Sequence, residues 1–208
     1  HGGRDITLRA RHVLAATGAI ERAMPIPGWT MPGVLSAGGA QILLKTSGIV
    51  PDAPPVLCGS GPLLALLAWQ YLRAGVRVAA IVETTPRQTV AAVLARPVAL
   101  PAAAGYLAKG LRMLTAIARH GVPVHRGATA LRVVGDVSVQ GLQFRCGKRE
   151  HVIASPLVVL HDGVIPNVQL TRALGCEHEW DSLAQAWRPR VNRHGRTSLP
   201  WLSVAGDG

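Results

Sequence analysis

The chain has 208 residues, 49% of them hydrophobic, which suits one large packed core or two smaller ones and excludes a disordered chain. Its formal charge of +11 is carried by arginine, because lysine stands only at positions 45, 109 and 148. No apolar run is long and uninterrupted enough to span a bilayer, and Cys58, Cys146 and Cys176 are too widely spaced to form a disulfide framework, a zinc site or a redox dithiol.

Residues 5–16 alternate and then become continuously apolar, the pattern of a strand that enters a core and stops at Thr17-Gly18. Residues 25–33, "PIPGWTMPG", form a loop, and residues 37–44 read as a short helix. The proline-rich run 50–55 is a linker. A regular β-α-β unit follows: a strand at 56–58, the turn Gly59-Ser60-Gly61, a helix at 62–74 with Pro62 at its start and Gly75 past its end, and a strand at 76–82. A second helix over 104–120 places Leu107, Leu111, Leu114 and Ala118 on one face, and a strand at 123–125 follows it. Residues 129–160 give short alternating strands with turns at Gly135-Asp136 and Gly147-Lys148, then a final apolar strand at 157–160. The remainder holds a helix near 168–174, a loop rich in tryptophan and arginine, and a closing strand at 201–205. The whole reads as α/β.

The densest basic cluster lies in that loop, "WRPRVNRHGR", with Arg188, Arg190, Arg193 and Arg196 beside Trp187. A groove that tracks phosphates and stacks bases has such a composition. So does a solvated loop of an arginine-rich chain, which is the preferred reading, and no nucleic-acid partner is expected. The eight histidines show no metal-binding spacing, His161-Asp162 reads as a strand end, and no metal is expected. No residue declares itself as a catalytic acid, base or nucleophile.

The turn at 59–61 is the stretch that carries chemistry. In a dinucleotide fold the first glycine permits a tight turn and the second lets the backbone approach a pyrophosphate at the helix N-terminus, and Gly59 and Gly61 stand at those places. Glu83 ends the next strand, where a carboxylate accepts hydrogen bonds from an adenosine ribose. That favours NAD, while Arg87 keeps NADP open. Leu64 occupies the third position, where a small residue ordinarily allows close packing. The alternative is a pair of glycines that only shape a β-α turn.

Three spaced signals, "VLAATGA" at 13–19, the turn at 59–61 and "VAGDG" at 204–208, together resemble the pyridine nucleotide-disulfide oxidoreductase superfamily. The longer runs "ATGAIERAMPIPGWTMPGVLSAGGAQILLK", "GSGPLLALLAWQYLRAG" and "VLHDGVIPNVQLTRALGCEHEWD" resemble one branch of it. That branch contains opine oxidase A subunits, a hydrogen cyanide synthase subunit and the alpha subunits of proline or hydroxyproline dehydrogenases. The resemblance implies a two-dinucleotide-binding-domain flavoprotein fold, with a Rossmann-like NAD(P)-type domain over 53–163 inserted into a truncated FAD domain. Residues 1–52 would be the first segment of the FAD domain and 164–208 the return into it. Thr17 and Gly18 would lie near FAD, Asp207 would bond the ribityl chain, Gly206 would let the backbone come close, and Gly163 and Asn167 would form the crossing between domains.

Because the chain starts at His1 and ends on the turn of Gly206-Asp207-Gly208, the sequence predicts an internal segment of a longer protein. The resemblance implies an oxidoreductase subunit that acts on an amino acid or opine and passes electrons through FAD. NAD or another adenine nucleotide would occupy the second site, and a second flavoprotein subunit would be its partner. The expected location is the cytoplasm, with membrane association only through a partner. The competing expectation is a nucleotide-binding structural or regulatory subunit without redox chemistry of its own.

Overall fold

The computed structural model describes residue 7, residues 9–85 and residues 100–207, the side chains of 100–109 excepted. The chain divides into two compact units, one of residues 21–163 and one of residues 1–20 with 164–208.

The larger unit is built on a five-stranded parallel sheet. Its strands are β3 (Val34–Ser36), β4 (Val56–Ser60), β5 (Ala80–Glu83), β6 (Val124–Arg126) and β10 (Val158–Asp162). They lie in the order β3, β10, β4, β5, β6. Sheets of this kind are buried on both faces, so their strands read as unbroken apolar runs. The period of two then sorts the side chains. Leu57, Ile81 and Val159 face one core with Ala37 and Ala40 of the helix α1 (Ala37–Ser47), Leu64, Leu67 and Tyr71 of α2 (Pro62–Arg73) and Ile117 of α3 (Leu100–Arg119). Val56, Cys58, Val82, Val158 and Leu160 face a second core with Val133, Val139, Leu142 and Phe144. These come from the antiparallel meander β7 (Ala128–Gly135), β8 (Val139–Cys146) and β9 (Arg149–Ala154).

The first domain boundary expected from the sequence, at 52/53, differs from the division seen here, at 20/21. Residues 21–52 belong with the larger unit because β3 hydrogen-bonds in register along β10 and because Ala37 and Ala40 of α1 enter the same core as α2. The proline-rich run at 50–55 is thus a connection inside one unit. The second boundary falls between Gly163 and Val164.

Two sequence expectations need correction here. Leu111, Leu114 and Ala118 of α3 face solvent, Leu111 being 67% exposed, while Ile117 at 2% is the residue that enters the core. Apolar residues occur on both sides of α3, so helical spacing alone does not select the buried face. The side chain of Leu107 lies outside the described residues. The strand after α2 begins only at Ala80; the Val76 amide bonds the Tyr71 carbonyl at 2.9 Å, so residues 76–79 carry the chain from the helix end to the sheet.

The smaller unit holds β1 (Val13–Ala15) parallel to β14 (Leu202–Val204), β2 (Ala19–Glu21), whose last residue opens the larger unit, paired with β11 (Val164–Pro166), and the short helix α4 (Gln169–Ala173). Ala15, Cys176, Leu202 and Val204 form its core. The predicted arginine-rich loop is instead partly a hairpin of β12 (His178–Asp181) and β13 (Ala186–Pro189). Asp181 closes it by accepting the amides of Leu183 and Ala184, and Trp180 and Trp187 pack edge to face across it. Arg188 bonds Glu179 at 2.8 Å and Arg190 lies 3.6 Å from Glu177, so two of the clustered arginines are paired with carboxylates. The Ile6 end of the first predicted strand, Arg87 and Gly208 lie outside the described residues.

Candidate functional site

In the larger unit, β10 runs on one side of β4 while the chain leaving β4 returns on the other side as β5. An open parallel sheet has its binding crevice at the carboxyl ends of the strands that flank such a reversal. At that edge the register pairs Gly59 with His161, Ser60 with Asp162, and Gly59 again with Glu83. The sequence-expected Gly59, Gly61 and Glu83 are therefore brought together.

The two glycines have different reasons to be glycine. A Cβ on Gly59 would stand 1.7 Å from the His161 carbonyl oxygen, so this glycine is required by the contact between β4 and β10. Gly61, at φ +95°, is exposed, and a Cβ there would meet nothing nearer than the His161 ring at 3.7 Å. It precedes Pro62 at the start of α2, and no side chain caps that helix end. An uncapped helix N-terminus beneath an open glycine fits a phosphate group, whose oxygens can take the free amides. Leu64 is buried in the core of α1 and α2 at 1% exposure.

Glu83 is engaged by Arg126 of β6, Nε to Oε2 at 3.0 Å, with both side chains partly exposed. This leaves Oε1 as the second acceptor position for a ligand. Arg126 is a site residue that sequence reading missed. It lies 43 positions from Glu83 and meets it only because β5 and β6 are neighbours, with Glu83 opposite Arg126.

Glu21 and His161 were missed as well. Glu21 accepts the amides of Ala37 at 3.1 Å and Gly38 at 2.7 Å, at the start of α1, and its Oε1 lies 2.6 Å from Nδ1 of His161. Burial by itself raises the Glu21 carboxyl, but hydrogen bonds with His161, Ser36 and the Gly38 amide, and the neighbouring His161, bring it below its ordinary value. The one available signal was a histidine at the end of the fully apolar strand "LVVLHD". Beside it Ser60 donates to Asp162 at 3.0 Å. Gly163, at φ +84°, ends this unit.

In the smaller unit, the Thr17 hydroxyl donates to the Asn167 carbonyl at 3.1 Å, and the Asn167 amide to the Gly18 carbonyl at 3.0 Å. The Ala205 amide bonds the Ala15 carbonyl, which sets Gly206 and Asp207 just beyond the paired ends of β1 and β14. A Cβ on Gly206, at φ +79°, would meet nothing within 4 Å. Gly206 and Asp207 line a pocket of about 340 Å³ with Ala19, Ile165 and Arg188. That volume is at the low end of small-molecule sites and suits part of a dinucleotide. The open backbone at Gly206 fits a group that must approach it closely.

Among the described residues no cluster of three or more metal-ligating side chains occurs. None of the three cysteines is paired. Burial pushes the Cys58 thiol up to about 12, which makes it inert.

A family model described as pyridine nucleotide-disulphide oxidoreductase matches residues 1–208, and the chain belongs to that family of FAD-binding, NAD(P)-dependent oxidoreductases. It is 41% identical over 196 residues to the opine oxidase A subunit of Agrobacterium tumefaciens (strain Ach5), covering 94% of this chain and 39% of that protein. It is 35% identical over 209 residues to hydrogen cyanide synthase subunit HcnB of Pseudomonas aeruginosa, covering 94% of this chain and 43% of that one. The chain thus spans about two fifths of the length of these curated relatives. The fold matches the crystal structure of T. acidophilum thioredoxin reductase with a TM-score of 0.65 at 18% identity, covering 95% of this chain and 57% of that one.

Proposed function

We propose that this chain is part of an FAD-dependent oxidoreductase subunit that acts on an amino acid or opine, and that works with a second flavoprotein subunit. FAD, when bound, supplies the acceptor for the substrate's electrons. In this reading the smaller unit belongs to an FAD domain, where Thr17, Gly18, Gly206 and Asp207 border the cofactor. The larger unit, residues 21–163, contains the Rossmann-like domain inserted into it, expected over 53–163, and Gly163 and Asn167 lie at the crossing. Gly59, Gly61 and Glu83 hold NAD or another adenine nucleotide.

The observation that carries the nucleotide site is the register that sets Glu83 beside Gly59 at the carboxyl edge of the sheet, next to the uncapped start of α2. The substrate class rests on the likeness to the opine oxidase A subunit. No helix among the described residues is long and apolar enough to cross a bilayer.

Leu64, buried where a dinucleotide turn ordinarily carries a small residue, favours a second reading, in which the site holds an adenine nucleotide and performs no hydride transfer. The test is the visible spectrum of the protein after FAD is added and free flavin removed, followed by anaerobic addition of an opine. Bleaching of a retained flavin band supports the oxidase. Binding of ADP without any flavin bleaching supports the second reading, and binding of neither FAD nor ADP overturns both.

A further inference from the structure

We propose that His161 is a nucleotide-binding residue: anchored through Nδ1 to Glu21, it presents Nε2 beneath Gly61, where it takes an oxygen of the ligand's diphosphate. The inference rests on the reading of the 59–61 turn as a nucleotide site and adds to it a side chain that no glycine pattern would indicate.

The ring is 3% exposed, yet its two nitrogens differ in what they meet. Nδ1 is committed to Glu21 at 2.6 Å. Glu21 is itself fixed, because both of its oxygens accept amides of α1. The ring therefore cannot turn without breaking its bond to a carboxylate that two amides hold in place. Nε2 has no hydrogen-bonding partner among the described residues, and no buried side-chain nitrogen or oxygen among them lacks one, so Nε2 reaches the solvent side of the turn. A buried polar side chain is ordinarily satisfied on every side. One that is anchored at one nitrogen and open at the other is disposed for a ligand.

The direction of the opening is given by Gly61. Nε2 and Cδ2 of His161 lie 3.7 and 3.8 Å from the place a Cβ on Gly61 would occupy. Any group that rests on this exposed glycine to reach the first amides of α2 meets Nε2 as well. With Nδ1 given to the Glu21 carboxylate, a phosphate oxygen at Nε2 is met by the other ring N–H. The charged group that meets the ring is Glu21; Asp162, the next residue on the strand, alternates to the other face of the sheet and accepts from Ser60. Glu21 is acidic and by itself would repel a phosphate. Arg126, the cation paired with Glu83, is engaged at the far side of β5. The His161 ring is therefore the side chain described at this turn that stands between Glu21 and a phosphate.

The test compares ADP with adenosine by isothermal titration calorimetry, on the unmodified chain and on His161→Asn. Asparagine keeps an N–H near the place of Nδ1 for Glu21 and removes Nε2. The expected result is that ADP binding weakens about tenfold while adenosine binding is unchanged, because only the charge-assisted bond to phosphate is lost. An unchanged ratio of ADP to adenosine affinity in the variant overturns the role of His161 and leaves the nucleotide site standing. Absence of binding by the unmodified chain overturns the nucleotide site and this inference with it. If the variant does not fold, histidine nitrogen NMR on the unmodified chain decides. A shift of the Nε2 resonance on ADP addition, with Nδ1 little changed, supports the role, and an unmoved Nε2 refutes it.

Discussion

Replacing Gly59 by alanine tests the packing on which the site depends. The added Cβ would stand 1.7 Å from the His161 carbonyl oxygen, 2.7 Å from its carbon and 3.1 Å from its nitrogen, all of them backbone atoms that no side-chain rotation can move. At φ +133° the new residue is also strained wherever the neighbours go. Positive φ costs roughly 1–2 kcal/mol. Forcing β4 from β10 costs about 1–3 kcal/mol in overpacking, with roughly 1 kcal/mol for each strand hydrogen bond lost. The sum is on the order of 3–5 kcal/mol, which in a protein of this size lowers Tm by roughly 10 °C. Gly61→Ala has no contact nearer than 3.7 Å and carries only the strain, so its Tm should fall far less. Thermal unfolding followed by circular dichroism measures both. Equal Tm values for Gly59→Ala and the unmodified chain would mean that β4 and β10 do not approach at Gly59, and the reasoning would fail.

Three further outcomes are expected. Glu21 titrates below its ordinary value in the folded chain, so its contribution is fully present above the ordinary carboxylate range and is lost as pH falls through the folded value. The urea midpoint should thus drop on acidification below about pH 4.5, more steeply than in Glu21→Gln; parallel curves would refute the assignment. With a thiol reagent at pH 8 the half-buried Cys146 should react first. Cys58, pushed up to about 12 by burial, should react only after denaturation, and fast labelling of Cys58 would contradict its place in the core. Arg126→Ala removes a partly exposed ion pair worth at most about 1 kcal/mol, so Tm should barely move. Its release of Glu83 should raise the preference for NADH over NADPH in fluorescence titration, and an unchanged preference would separate Glu83 from the ribose.

What could be read in advance were the features coded locally. The turn at 59–61, Pro62 and Gly75 around α2, and the strand spacing of the meander with its turns at 135–136 and 147–148 are set by backbone preferences of the residues themselves. The buried face of α3 was not legible, because Leu111 and Leu114 offered as good an apolar stripe as the one that contains Ile117. The hairpin of β12 and β13 was hidden by its arginines, whose charges are met by Glu177, Glu179 and Asp181 only once the strands are paired.

The sequence by itself determined the α/β class and the glycine turn at the start of α2, since both follow from short-range patterns of apolar spacing and φ preference. Only the tertiary structure decided that residues 21–52 join the larger unit, that Gly59 is held to glycine by the His161 backbone, and that Glu21, 140 positions away, anchors the His161 ring. These are contacts between residues far apart in the chain, across neighbouring strands at Gly59 and between strands of different sheets at Glu21, and no local preference of either residue encodes its partner.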